Sequence, residues 1–389
     1  MREAVIVSAV RTPVGKCRGS LAPVPAHELG ALVVKEAVRR AGINPADIDD
    51  VIFGNLLNNE IANMARMVAL EAGLPVSVPG ITVDRQCAAS LNAVAYAAIL
   101  IQAGYADIIV AGGVESDSRR TYVMEKPTAA YQVMPPQWAD IKMAPDAVGN
   151  VPNGITAENV AERYGITRQE CDEFALLSHQ KAAKAWEAGY FQDQVIPVEV
   201  PQGKGKRIVF AKDEPLRPDA SLAALGALPP AFKEGGIVTA GNSSLMSDGA
   251  GAVVVMEKEK AKSLGLEIWA KFKDYAAAGV DPNFMGIGPV AATRKLFART
   301  GMAMPDIDLI ELNEAFASQS IACMRDLSID PEKLNVNGGA LALGHPLAGT
   351  GAILVTKMVY ELKRRGLQRG IISFCVGGGQ GVSVVLERE

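Results

Sequence analysis

Between Cys87 and Gly104 the chain reads Ala-Ala-Ser-Leu-Asn-Ala-Val-Ala-Tyr-Ala-Ala-Ile-Leu-Ile-Gln-Ala. Apolar side chains fall at almost every phase of a 3.6-residue turn. A helix with no polar face is buried on all sides, so it needs one layer of structure above it and another below. The preceding sequence supplies material for the first. Short apolar runs at residues 4–8, 51–54, 81–83 and 108–111 have the character of strands buried on both faces. Helical signals at 28–40, stopped by Gly42, and at 62–72 and 88–103 alternate with them. The resulting βαβαβαβ order predicts a parallel or mostly parallel sheet with helices on both sides.

A self-match supplies the second layer. Gly42-Ile-Asn-Pro45-Ala-Asp47-Ile48-Asp49, running into Val51-Ile-Phe-Gly-Asn55, resembles Gly301-Met-Ala-Met-Pro305-Asp306-Ile307-Asp308, running into Leu309-Ile-Glu-Leu-Asn313. Further on, the run from Ile108 to Gly113 has a counterpart in the run from Ile371 to Gly378. The order implies two copies of one α/β unit. We divide the chain into a first half, 1–117 plus about 249–258, an insertion at 118–248, and a second half, 259–389. The insertion is rich in proline, then helical from Thr156 through Gly189 with a capped start at Thr156-Ala-Glu158, and is read as covering the sheet edge where substrates bind.

Composition excludes several classes of function. With 39 basic and 43 acidic residues the net charge of −4 gives no reason to expect nucleic-acid binding. Lys204, Lys206 and Arg207 cluster, and a solvated hairpin tip is the plainer reading beside a phosphate contact. No apolar run approaches the ~20 residues of a membrane span. The opening Met1-Arg2-Glu3 runs straight into a strand, so cytoplasm is the expected location. Five scattered cysteines, Cys17, Cys87, Cys171, Cys323 and Cys375, without short paired spacings, argue for free thiols and against a disulfide framework or a metal site.

Chemistry is concentrated in glycine-rich turns. One carries Gly344-His345-Pro346 after a run at 334–336, the other Cys375-Val-Gly377-Gly-Gly-Gln-Gly381 after a run at 371–374, each read as the end of a strand. Ligands bind at that edge of an α/β sheet. Cys87 opens the all-apolar helix, where the helix dipole contributes ~0.3–2 kcal/mol toward a thiolate. That brings a thiol near neutral only at its upper end, so a base is needed; a buried structural cysteine is the competing reading. Of three histidines, His27 and His179 sit among polar neighbours and are read as solvated, leaving His345.

The motifs Ser8-Ala-Val-Arg-Thr-Pro, Asp84-Arg-Gln-Cys87, Thr156-Ala-Glu-Asn-Val-Ala, Thr239-Ala-Gly-Asn-Ser-Ser, Asn313-Glu-Ala-Phe-Ala, Gly344-His-Pro and Cys375-Val-Gly-Gly-Gly together resemble the thiolase family. The resemblance implies a duplicated five-layer αβαβα fold with an inserted loop domain, two mixed sheets enclosing a buried helical layer. It implies an acyltransferase working through an acyl-cysteine, with acyl-CoA and coenzyme A as substrates, no permanently bound cofactor and no metal, and a homodimer, or a homotetramer in which dimers pair through the inserted region. Cys87 is then the nucleophile, His345 its base, Cys375 the second acid/base, and Asn313 and Gly377 parts of two oxyanion sites. Ser244 and Arg217 would contact coenzyme A, with Phe232, Ala315, Phe316 and Met285 lining the channel.

Four positions depart from the family pattern: Ala89, Asp117, Ile353 and the pair Pro152-Asn153, where acetoacetyl-CoA-forming members carry His-Met. The last favours a degradative 3-ketoacyl-CoA thiolase over a biosynthetic one. A decarboxylating ketoacyl synthase would place histidine or asparagine at Cys375. A non-catalytic acyl-CoA-binding relative would not need two thiols. A dinucleotide-binding site at 377–381 fails because a strand pattern follows it.

Overall fold

The computed structural model describes residues 2–127, 130–131, 135–139 and 141–389. In chain order its elements are β1 (Ala4–Arg11), β2 (Gly15–Lys16), α1 (Ala26–Ala41), β3 (Asp50–Gly54), α2 (Met64–Glu71), β4 (Gly80–Val83), α3 (Ala89–Gln102) and β5 (Ile108–Ser116). Then come α4 (Asn153–Tyr164), α5 (Arg168–Glu187), β6 (Val198–Pro201), β7 (Arg207–Phe210), α6 (Leu222–Gly226) and β8 (Ser247–Glu257). The remainder is α7 (Lys258–Ser263), β9 (Ala270–Gly279), α8 (Gly288–Thr300), β10 (Leu309–Leu312), α9 (Ala317–Leu327), α10 (Ala340–Leu343), α11 (Thr350–Arg365), β11 (Arg369–Val376) and β12 (Gln380–Glu387).

Strands β1-β8-β5-β3-β4 form one leaf and β10-β11-β12-β9 the other. The leaves touch where β1 pairs with β9, through Val5–Lys271 and Ile6–Ala270 alone, so the expected two sheets share a narrow hydrogen-bonded seam. Between them lie α3 and α11. Leu91, Val94 and Ala98 of α3 and Val355, Met358 and Leu362 of α11 share one core with Ile6, Ile109 and Val255 of the first leaf and Phe272, Ile372 and Val384 of the second. Helices α1 and α2 cover the first leaf outside, and α8 and α9 the second, which gives five layers. The fit is close because glycines stand where backbones meet. A Cβ on Gly351 of α11 would lie 2.2 Å from the Leu91 nitrogen of α3, and one on Gly54 of β3 would lie 2.7 Å from the Ser90 nitrogen.

The internal match extends to backbone detail. Helices α1 and α8 end on left-handed Gly42 and Gly301, each leads through a 3₁₀ turn (Pro45–Asp47, Met304–Asp306), and β3 and β10 follow. Both pair in parallel with the strand that precedes the antiparallel partner, β5 or β11. Where β4 flanks β3, the second half keeps a single parallel bridge, Ile310–Leu334. The run at 334–336 is therefore not the strand its composition suggested, because Pro331 and the turns on either side leave it one pairing.

Other expectations are corrected. Strand β4 is at the edge and only half-buried, with Ile81 exposed. Helix α3 is sealed except for a flank at Tyr96, Ile99 and Leu100 beside that edge. The helical stretch from Thr156 to Gly189 is two helices broken at left-handed Gly165; α4 starts at Asn153, and the full capping box is Thr167/Glu170 at α5. Residues 204–207 do form an exposed hairpin tip between β6 and β7. Part of the region expected to pair subunits, residues 128, 129 and 132–134, lies outside the described residues.

Candidate active site

The turn from β4 to α3 presents Cys87 in a strained setting. Gln86 has φ +46°, a conformation rare for a residue with a side chain, and its N–H donates to Asp84 Oδ1 at 2.7 Å. The cysteine is 9 % exposed and sits in the 3₁₀ turn Gln86–Ala88 that leads into α3. Burial pushes its thiol up to about 11, opposed by the backbone N–H groups of Gly377 and of Cys87 itself. The helix start thus does not produce a thiolate unaided, because desolvation outweighs the dipole.

His345 arrives from the other half. Helix α10 ends on Gly344 (φ +92°), and the following His345 N–H meets Ser247 Oγ at 3.2 Å. Its ring is held at both nitrogens: Nδ1 is 2.7 Å from Thr350 Oγ1 and Nε2 is 3.3 Å from Asn313 Nδ2. The Thr350 hydroxyl can accept from or donate to Nδ1, so the tautomer is set by what Nε2 meets. Burial alone depresses the imidazole to about 4, so it is neutral. Asn313 closes β10. Asn335 brackets that strand end, its side chain accepting from Leu312 N–H at 2.9 Å and donating to Glu314 Oε1 at 2.7 Å. The Asn313 Oδ1 is buried and has no partner among the described residues.

Cys375 lies at the end of β11, fully buried against Ala157, Val238, Met285, Ala315 and Phe316. Burial raises its thiol well above the usual range, and Cys87 is near enough that charge on one opposes charge on the other. The turn beyond it uses left-handed Gly378 and Gly379. Met143 lies over this turn: its sulfur is 3.0 Å from where a Cβ on Gly377 would be.

Of the residues the resemblance assigned to coenzyme A, five gather at this end. Phe232 meets Phe316 edge-on at 6.1 Å, Ser244 N–H donates to Ala315 O at 3.0 Å, and Met285 shares the Cys375 cluster. Exposed Arg217 stands apart, on a cavity of about 260 Å³ lined also by His179, Ser221, Ala224, Gly241 and Leu245. His179 is not solvated as expected. It is buried, its Nδ1 accepts from Arg217 N–H at 3.3 Å, and burial lowers it to about 4. His27 is half-buried. A larger cavity of about 810 Å³ opens at Cys17, Asp117, Tyr122 and Trp138, and none of the catalytic candidates lines it. Among the described residues, no group of three or more His, Cys, Asp or Glu is placed to hold a metal ion, and no helix is long and apolar enough to cross a membrane.

Sequence reasoning did not find Thr350, Met143 or Glu115. Glu115, on β5, accepts from Leu57 N–H at 2.9 Å and from Ala348 N–H at 3.3 Å, tying the first leaf to the turn after His345; burial pushes it up to about 8. Only Thr350 left a signal, a hydroxyl five residues past His345 at the start of α11.

Residues 4–259 match the family model described as thiolase, N-terminal domain, and residues 266–388 that described as thiolase, C-terminal domain. Curated relatives include an acetyl-CoA acetyltransferase of Pseudomonas aeruginosa, 45% identical with both chains fully covered. A 3-ketoacyl-CoA thiolase of Bacillus subtilis is 47% identical, again over all of both chains. Among solved structures, the Bacillus anthracis acetyl-CoA acetyltransferase superposes with a TM-score of 0.95 at 43% identity, covering 100% of this chain and 99% of that one. A human mitochondrial 3-ketoacyl-CoA thiolase in complex with CoA gives 0.92 at 37% identity, covering 100% and 98%.

Proposed function

The chain belongs to the thiolase family, and on that premise we propose that it cleaves 3-ketoacyl-CoA with coenzyme A, reversibly, through an acyl group carried on Cys87. The observation that carries this reading is that Cys87 of one half shares a core with Phe374 and Val376, which flank Cys375 of the other, while the His345 ring lies 6.5 Å from that of Phe374. In thiolysis the sulfur adds to the 3-keto carbon and its proton passes to His345 Nε2. The C2–C3 bond breaks, Cys375 protonates the departing acetyl-CoA carbanion, and acyl-Cys87 remains. The Cys375 thiolate then takes the proton of incoming coenzyme A, whose sulfur attacks the acyl carbon and becomes the product thioester, while the departing Cys87 sulfur recovers its proton from His345.

Each oxyanion needs donors fixed in advance. Losing one typically costs ~2.7–4 kcal/mol of transition-state stabilisation. The backbone N–H groups of Cys87 and Gly377 serve the acyl oxygen. His345, with a water on the unpartnered Asn313 Oδ1, serves the other thioester oxygen. The apolar wall of Met285, Ala315 and Phe316 supports a channel for the pantetheine arm, passing Ser244, with the nucleotide end at Arg217. Coenzyme A is then a substrate and not a resident cofactor.

Relatives bearing both activity names match at nearly equal identity, and acetoacetyl-CoA synthesis is as compatible with them as cleavage. Chain length is set by assay: loss of ketoacyl-thioester absorbance across lengths, with free coenzyme A. We expect turnover, with Cys87→Ala losing covalent labelling by acyl-CoA and Cys375→Ala still acylating but turning over slowly. Equal labelling of Cys87→Ala and the parent would overturn the assignment.

We read residues 1–117 with 249–258, 118–248 and 259–389 as first half, loop domain and second half; the last boundary lies near the ends of the two family models, at 259 and 266. A cytoplasmic homodimer fits five free thiols and a first leaf with an open edge at β4.

A further inference from the structure

One helix, α5, touches the turn that bears Ser244, the cavity at Arg217 and the segment that follows Asn313, although no family motif lies on it. Near its start Asp172 accepts from Asn242 Nδ2 at 3.0 Å, beside the turn that bears Ser244. At mid-length His179 holds the Arg217 N–H on the 260 Å³ cavity. The adjacent Ser178 faces the chemistry. Its hydroxyl donates to Glu314 Oε2 at 2.7 Å and accepts from Gly339 N–H at 3.0 Å. Glu314 follows Asn313 in the chain, accepts from Leu341 N–H at 3.1 Å, and so fixes α10, the short helix that ends two residues before His345. One turn on, Ala182 packs where Gly338 has no side chain: a Cβ there would lie 2.6 Å from the Ala182 Cβ.

Resting on the reading of the Arg217 cavity as the nucleotide subsite, we propose that α5 couples occupancy of that cavity to the placement of Asn313 and His345, with Ser178 as the positioning residue. The nucleotide end of the substrate then speeds a reaction it does not touch. Contacts remote from the reacting atoms raise kcat only when they improve geometry at those atoms, and a misplacement of about 1 Å there costs ~10²-fold. Ser178 is suited to the role because its one hydroxyl joins the helix to both segments that carry the oxyanion pair, and all three groups are buried.

The test compares acetoacetyl-CoA with acetoacetyl-pantetheine, which lacks the nucleotide, in thiolysis by coenzyme A or pantetheine respectively. In the parent, kcat with the CoA thioester is expected to exceed that with the pantetheine thioester by about tenfold or more. Ser178→Ala should bring the first down to the second while KM for the CoA thioester stays within about twofold, and Ser178→Thr, which keeps the hydroxyl, should restore the difference. Arg217→Ala should raise KM for the CoA thioester alone. If it changes neither substrate, the subsite reading falls. If it does raise KM but Ser178→Ala lowers both kcat values by the same factor, the subsite stands and the coupling is overturned. Equal kcat for the two substrates in the parent also overturns it. Should Ser178→Ala lack native circular dichroism, Ser178→Cys takes the same comparison.

Discussion

At Cys87, desolvation and hydrogen bonding pull in opposite directions, and the outcome governs how the thiol reacts. Held near 11 against an imidazole held near 4, the resting pair is neutral thiol and neutral histidine. The thiolate fraction at pH 7 is then about one in 10⁴, and the proton leaves only as the sulfur adds to substrate. Alkylation of the Cys87 peptide by iodoacetamide in unliganded protein should therefore rise about tenfold per pH unit from 7 to 9, without a plateau. A plateau already at pH 7 would show a standing thiolate–imidazolium pair instead. Cys87, His345 and Cys375 stood out in sequence by their apolar or glycine-rich turns, but a buried structural cysteine competed at Cys87, and the roles proposed for all three came from the family resemblance. His179 was misread because its neighbours along the chain are polar, while its surroundings in space come from residues 215–225 and α10.

Among elements, α3 and α11 decide the precision of the site, since α3 begins beside Cys87 and α11 begins at Thr350, the partner of His345. Their spacing is set by backbone contact at Gly351. Gly351→Ala must displace one helix, and we expect a loss of ~1–3 kcal/mol or more by urea unfolding together with slower Cys87 acylation. Gly226→Ala, with nothing within 4 Å of the added Cβ, is the near-neutral control. Equal stability of the two variants would contradict this account. Elements with strong apolar periodicity were legible to within a few residues. The run at 334–336 was not, because hydrogen-bond partners decide whether an apolar triplet becomes a strand, and sequence does not display them.

For the whole molecule, the all-apolar helix and the internal repeat implied two sheets around a shared helical layer, the family resemblance implied five layers, and the layers are there. The seam at Val5–Lys271 was not implied, since a two-pair contact between strands far apart in sequence leaves no local pattern. Assembly follows from what the monomer leaves uncovered. Strand β4 ends the first leaf with exposed Ile81, flanked by Met67, Leu70 and Ile99, a surface whose burial by a second copy would remove an open edge. Sedimentation should show a dimer for the parent and a shift toward monomer for Ile81→Lys; an unchanged sedimentation coefficient would place the interface elsewhere.

On the proposed mechanism the oxyanion N–H pair takes one member from Cys87 of one half and the other from Gly377 of the second, so the capacity to become acylated is a property of neither half alone. Stoichiometric labelling by a radioactive acyl thioester therefore counts molecules whose halves have docked correctly. In a refolding mixture it would distinguish native chains from those whose halves are each formed but wrongly apposed, a distinction circular dichroism does not make.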